Sequence, residues 1–267
     1  MFKLLTILSM SLLLVACRAE PEPIDDGIRY TYFAMEQHDP HGDWQNFILI
    51  EVDSQENITA IQLDGVNAIL SSTRRDLSHL ELHEDDTEDY AFSEHIADFE
   101  ESLIGQPVAE LTALIQDGDT DGFMPSAWTM LAITALSSDP VERGPYLNGL
   151  YQSTADEPVD GFYHFVNFIV VHGHIVAVQW NAITEDGFLK YDYVTMTGVG
   201  AGSEVRAWRD QAILLEDALL DIQDPLLLTF DENGYATDLE DVEIEIETFV
   251  SLVIRGLAYG PITIELD

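Results

Sequence analysis

Three groups of residues have the type and spacing to do chemistry. The run Asp117-Gly118-Asp119-Thr120-Asp121-Gly122 sets carboxylates at alternate positions and a glycine at the sixth, like the first half of a calcium loop. Such a loop is completed by a bidentate glutamate at its twelfth position, where this chain has Trp128. Asp117, Asp119 and Asp121 therefore read either as a weak calcium site or as an ordinary acidic turn, the latter being the simpler. His172-Gly173-His174 puts two imidazoles at a turn with no third metal ligand nearby in sequence, and a solvated turn is expected. The third group is cationic. Only ten Lys and Arg face fifty Asp and Glu, so each cation's position is informative. Arg74-Arg75 and Lys190 occupy comparable places, each following a strand-rich stretch. A bound phosphate needs such cations or backbone donors; the other reading is that they offset the acidic excess locally. Trp180 and Phe162 have faces on which a planar ring can stack, although large aromatics in strands usually belong to the core. The sequence contains no Gly-x-Ser-x-Gly, no His-Glu-x-x-His, no phosphate-binding glycine loop and no dinucleotide fingerprint.

A formal charge of −40 repels nucleic acid and anionic head groups, which excludes a DNA- or RNA-binding role. The charge reads either as solubility in a salty medium, where counter-ions screen it, or as affinity for divalent cations or a basic partner; the first is the simpler. A hydrophobic content of 46% supplies a core and sets the chain apart from disordered acidic tails. Residues 1–16 carry Lys3 and then a nearly continuous apolar run from Leu4 to Val15, the pattern of a secretory signal. The run is shorter than the about 20 apolar residues that span a bilayer. It ends in Leu14-Val15-Ala16-Cys17, which resembles the lipobox of bacterial lipoproteins. The resemblance implies lipidation of Cys17, cleavage before it and acylation of the new N-terminus, hence an extracytoplasmic, membrane-anchored protein. Arg18 follows where an Asp would favour inner-membrane retention, so in a Gram-negative host the expectation is the outer membrane. Residues 17–26, with two prolines and several acids, read as a tether. Cys17 is the chain's only cysteine, so disulfides are excluded.

The elements that must hold these groups come in two sets. Trp44–Val52 leads through a turn-prone stretch into Ile58–Asp64, and Phe162–Val171 leads through His172-Gly173-His174 into Ile175–Asn181. Both read as hairpins, and Ile-x-Ala-(Ile/Val)-Gln recurs on each second strand. An amphipathic helix is expected after each, over Phe92–Ile104 and Ser203–Ile222, with Ser93 and Ser203 as caps. A short strand, an acidic turn and a last helix, Pro125–Leu136 or Thr248–Leu257, should follow. The expected architecture is α+β, as two tandem similar domains, each a hairpin-based sheet with two packed helices. Their bounds are 27–136 and 147–267, joined by a linker over 137–146 containing Asp139-Pro140 and Gly144-Pro145. A cleft between two such domains is a natural ligand site.

The second half carries Asp160-Gly161-Phe162, Gln179-Trp180-Asn181-Ala182, Glu185-Asp186-Gly187-Phe188-Leu189-Lys190, Tyr193, Met196, Gln211 and Gln223. In this pattern the chain resembles the FMN-binding lipoprotein family of extracytoplasmic bacterial proteins, and the likeness extends over most of both halves. The resemblance implies flavin-linked electron transfer with a redox partner, and flavin attached through a phosphodiester to a threonine. Lys190 and Asn181 fall within its pattern, and with Arg74 and Arg75 at the comparable place in the first copy they are the candidate flavin-holding residues. The chain departs from the family at the attachment motif. Where the family has roughly Asp-x-x-Ser-Gly-Ala-Thr, this chain has Asp238-Leu239-Glu240-Asp241-Val242-Glu243. Glu243 stands where the acceptor hydroxyl belongs and would repel the phosphate. Any FMN is therefore expected to be non-covalent; the alternative is an interaction lipoprotein that has lost the cofactor. Val242–Glu247 alternates with period two and predicts a strand with Val and Ile inward.

Overall fold

The computed structural model describes residues 28–37, 44–69, 72–75, 96–117, 126–190, 203–239 and 241–262. The Cys17 segment, Ser93, Asp119, Asp121, Tyr193 and Met196 lie outside them, as does the side chain of Asp117.

The first half opens with a four-stranded antiparallel sheet. Its strands β1 (Ile28–Met35), β2 (Gln45–Asp53), β3 (Ile58–Asn67) and β4 (Ser72–Thr73) pair in chain order. Helix α1 (96–103) follows, then α2 (Val108–Asp117) and α3 (Ser126–Leu136). The second half repeats the plan with β5 (Gly149–Thr154), β6 (Phe162–Val171) and β7 (His174–Thr184) in an antiparallel sheet. Helix α4 (Ser203–Ile222), a 3-10 turn (Pro225–Leu227) and helix α5 (Glu247–Tyr259) complete it. The chain is thus α+β, built as two similar halves.

Strand alternation sorts the side chains into layers. In β2, Ile48, Ile50 and Val52 face α1, α2 and α3 and pack with Leu103, Leu111, Trp128 and Leu131. Their neighbours Phe47 and Leu49 face the other way and meet Ile169, Val171 and Ala177 of the second sheet. In β6 the even positions Val166, Phe168 and Val170 pack under α4 and α5 with Leu215, Leu219, Phe249 and Val253. The layers run helices, sheet, sheet, helices. Both faces of each hairpin are covered, so their strands read as nearly unbroken apolar runs rather than as an alternation.

The two halves share small irregularities as well as topology. The β2–β3 ladder bulges between Glu51 and Val52, and the β6–β7 ladder bulges between Ile169 and Val170. Buried Glu100 accepts from the Leu63 amide at 2.6 Å, and buried Glu216 accepts from the Trp180 amide at 2.5 Å. Asp64 and Asn181 each turn a side-chain oxygen onto the following amide, at 2.7 and 2.8 Å. At the helix ends, the backbone of Gly105 and Gln106 pairs with Ile58, at 2.7 and 2.8 Å. In the second half the Gln223 side chain imitates that pairing, holding the N–H and C=O of Ile175 at 2.8 Å each.

Several expectations need correction. Each sheet contains a further strand, β1 or β5, ahead of its hairpin. The expected strand after the first helix is absent: the chain makes one bridge, Asn57 to Pro107, and enters α2, and in the second half it makes the 3-10 turn. The first half therefore packs three helices, not two. Val242–Glu247 is a loop carrying one bridge, Tyr235 to Glu245, and α5 starts at Glu247. Val242 and Ile246 are buried and Glu243 and Glu245 exposed, so the inward–outward sense holds without the strand. Alternation signals which side faces the core, but a strand also requires a partner ladder, and this segment pairs with a turn instead.

Candidate functional site

The cations stand at matching places because each sheet ends in the same return. After β7, a turn closed by Gly187 N–H to Thr184 O (2.9 Å) and Phe188 N–H to Thr184 Oγ1 (3.0 Å) doubles the chain back. Gly187 takes φ +88°, a left-handed conformation suited to glycine. Leu189 bridges Ile183, and Lys190 follows, with Nζ 4.2 Å from the centre of the Trp208 ring and 5.4 Å from that of Phe162. In the first half β4 makes the return, and Arg74 lies across Gly65 with its guanidinium 5.4 Å from the Trp44 ring and 5.7 Å from that of Trp128.

Arg75 is committed to the protein itself. It donates to Leu63 O at 3.0 Å, pairs with Glu100, and its Nε lies 3.8 Å from buried Asp64, near enough for charge attraction but not for a hydrogen bond. Lys190 faces two opposing influences. The ring faces favour its charged form, but burial is the larger effect and pushes the amine down to about 8, with Asp160 pulling weakly the other way. Beneath it His164 is buried, and burial, then the Lys190 charge, pushes its pKa down to about 4. The His164 ring lies 5.4 Å from Trp180 and 5.9 Å from Trp208. His164 Nδ1 and Trp180 Nε1 are both buried without hydrogen-bond partners among the described residues.

The protein itself already engages several of the residues that would have to hold a flavin mononucleotide. Arg74 and Arg75 follow β4 in the first half, and Lys190 and Asn181 lie in the second, one pair to each half as expected. Asn181 is 1% exposed, its oxygen held by the Ala182 amide. Drawing Arg75 onto a phosphate would take it from Glu100 and from buried Asp64. Trp180, a candidate stacking surface, is 1% exposed and packs against Trp208 and Phe249. Glu243 is exposed, its amide donating to Gln211 Oε1 at 2.5 Å.

A concave feature lies between the halves. A cleft of about 610 Å³ is walled by Phe33, Met35 and Gln45 on one side and by Ile175, Val176 and Leu220 on the other, with Glu36, Asp217, Asp221 and His174 also lining it. Asp217 and Asp221 stand one helical turn apart, a like-charge spacing that weakens a helix slightly. Glu36 accepts from the Asn46 amide and side chain at 2.9 and 2.8 Å. The histidine turn forms part of the packing: His172 is 6% exposed rather than solvated, because the connector closes over it. Gly144 N–H donates to His172 O at 3.0 Å, and a Cβ on Gly144 would stand 2.2 Å from Gly173 O. Sequence reasoning missed this connector contact; the Gly144-Pro145 pair signalled a turn but not its partner. Among the described residues no three metal-ligating side chains gather, and no helix is long and apolar enough to cross a membrane.

No protein-family model matches the chain, and no curated protein matches it. The chain is similar to a solution NMR structure of a Clostridium thermocellum protein, a structural genomics target. The identity is 29% over 42% of this chain and 90% of that one, with a TM-score of 0.35, too low to carry an argument.

Proposed function

We propose that this protein is a lipid-anchored extracytoplasmic interaction protein, tethered through Cys17 and residues 17–26. Its two FMN-binding-like copies, over 27–136 and 147–267, work without flavin. The observation that carries this reading is where the scarce cations point. Arg75 neutralises Asp64 and Glu100, Arg74 lies over two tryptophan rings, and Lys190 rests on Trp208 with a weakened hold on its proton. Each of the three is engaged by carboxylates or ring faces of the protein itself. The cleft between the halves offers acids to a ligand, so its electrostatics favour a cationic group over an anionic cofactor.

The test is to express the full chain with its own N-terminal segment in a bacterium that has a periplasmic flavin transferase. The visible spectrum of the purified protein is then recorded before and after denaturation and filtration. The expected result is no flavin absorbance, even after incubation with FMN, together with recovery of the protein in the membrane fraction and loss of that association in Cys17→Ser. Flavin released on denaturation would restore the electron-transfer reading, and flavin retained would overturn the reading of Glu243.

A further inference from the structure

Strand β1 is an edge of the first sheet and pairs with β2 alone. The Glu36 amide donates to Asn46 O, so alternation turns the N–H and C=O of Met35, Phe33 and Thr31 away from β2. One of these outward groups is in use: Thr31 O accepts from Val141 N–H of the connector at 2.7 Å. Phe33 and Met35 come next along the strand. Among the described residues they have no backbone partner on that side, and both line the cleft between the halves. The opposite wall is closed, because the Gln223 side chain holds the N–H and C=O of Ile175. An uncovered edge of this kind is a template for another strand.

Polar side chains gather at the same place. Gln45 lines the cleft and is 3% exposed, yet its side-chain amide makes no hydrogen bond among the described residues. Glu36 is half-buried and takes both bonds from Asn46 on Oε2, which leaves Oε1 without a partner among the described residues. Asp217 and Asp221 add two exposed carboxylates from α4.

We propose that the cleft takes an extended segment of a basic partner protein, which adds as a strand to the β1 edge beyond Val141 and sets lysine or arginine side chains against Glu36, Asp217 and Asp221. This rests on the reading of the cleft as a site for cationic groups and says what carries them. The segment's main chain supplies the partners that Phe33 and Met35 lack, and its alternate side chains supply the specificity. An alternation of basic and apolar residues suits a cleft with apolar walls and exposed acids. The volume, about 610 Å³, falls within the about 300–1,000 Å³ of ligand pockets. A second copy of this chain is a poor occupant, because at −40 it repels itself and it has two lysines in all.

The test uses the purified full chain and a fluorescein-labelled hexapeptide of alternating lysine and valine, blocked at both ends, in about 0.15 M salt to screen loose attraction. Binding is read by fluorescence anisotropy and by deuterium exchange. The expected result is saturable binding with slowed exchange in the β1 fragment and none in the β5 fragment. Asp217→Asn combined with Asp221→Asn should weaken binding about tenfold. Two further peptides carry N-methyl groups on one or the other alternate set of nitrogens. One should lose binding and the other keep it, because a strand turns alternate N–H groups to opposite sides. Equal binding of the two, or unchanged exchange in β1, would overturn strand addition and leave a cation-holding cleft standing. Binding unmoved by the double variant would place the peptide elsewhere on the acidic surface and sink both readings. If no peptide binds, strand addition falls. Calorimetry of spermidine against the chain and the double variant then decides separately whether the cleft takes cations.

Discussion

At the scale of single residues, the acid–base behaviour of the second half centres on His164. It is 5% exposed, and its pKa is pushed down to about 4 from 6.5, first by burial and then by the Lys190 charge. The sign follows from linkage. Between pH 6.5 and 4 the unfolded chain takes up a proton that the folded chain does not, so stability present above 6.5 is lost as pH falls toward 4. Lys190 has the same sign at higher pH: its lowered pKa means stability is lost as pH falls from 10.5 through 8. Replacing His164→Phe should remove the acid-side loss, about 1–3 kcal/mol, while leaving stability at pH 8 nearly unchanged. Urea midpoints measured at pH 4.5 and 8 would check it, and an unchanged pH dependence in the variant would count against a buried neutral imidazole.

At the scale of elements, helix α5 is seated by a glycine. A Cβ on Gly256 would stand 2.9 Å from Cε1 of Phe168, which is fully buried between the sheet and that helix. Alanine would add helix propensity worth about 1 kcal/mol. It would also force an immobile ring or the helix to shift, costing typically 1–3 kcal/mol. The clash should win because Phe168 has nowhere to go: it stacks on Tyr151 at 4.7 Å, and Tyr151 is 2% exposed. Gly256→Ala should lower the melting temperature by several degrees, whereas the same change at Gly105, where an added Cβ meets nothing within 4 Å, should cost only what its φ of +83° imposes.

At the scale of the whole molecule, the apolar layer between the sheets makes the two halves one folding unit. Phe47, Leu49 and Val66 would face water if the second sheet were absent, as would Ile169, Val171 and Ala177 without the first. Calorimetry should therefore show a single transition, and Phe47→Ala, truncating a fully buried ring at this layer, should lower it as one by about 3–5 kcal/mol. Two separated transitions, with only the first moved by the substitution, would contradict a shared core. The connector strengthens the union: Val141 N–H donates to Thr31 O at 2.7 Å in the first half, and Gly144 N–H to His172 O in the second.

The sequence by itself determined the hairpins, the helix faces and the duplication, because each is written in local periodicity and recurring residues. It also determined which residues are scarce, and so that Lys190, Arg74 and Arg75 were the ones to follow. Tertiary structure decided where those charges point. Arg75 is spent on Asp64 and Glu100 because strand and helix bring carboxylates from 11 and 25 residues away to it, and no local pattern encodes that meeting. It also decided that Val242–Glu247 is a loop, since a ladder depends on a partner strand elsewhere in the chain. The face-to-face sheets, and the cleft at their margin, follow from the same limit. A doubly covered strand shows only that it is buried; which surface covers each face is fixed when the halves pack together.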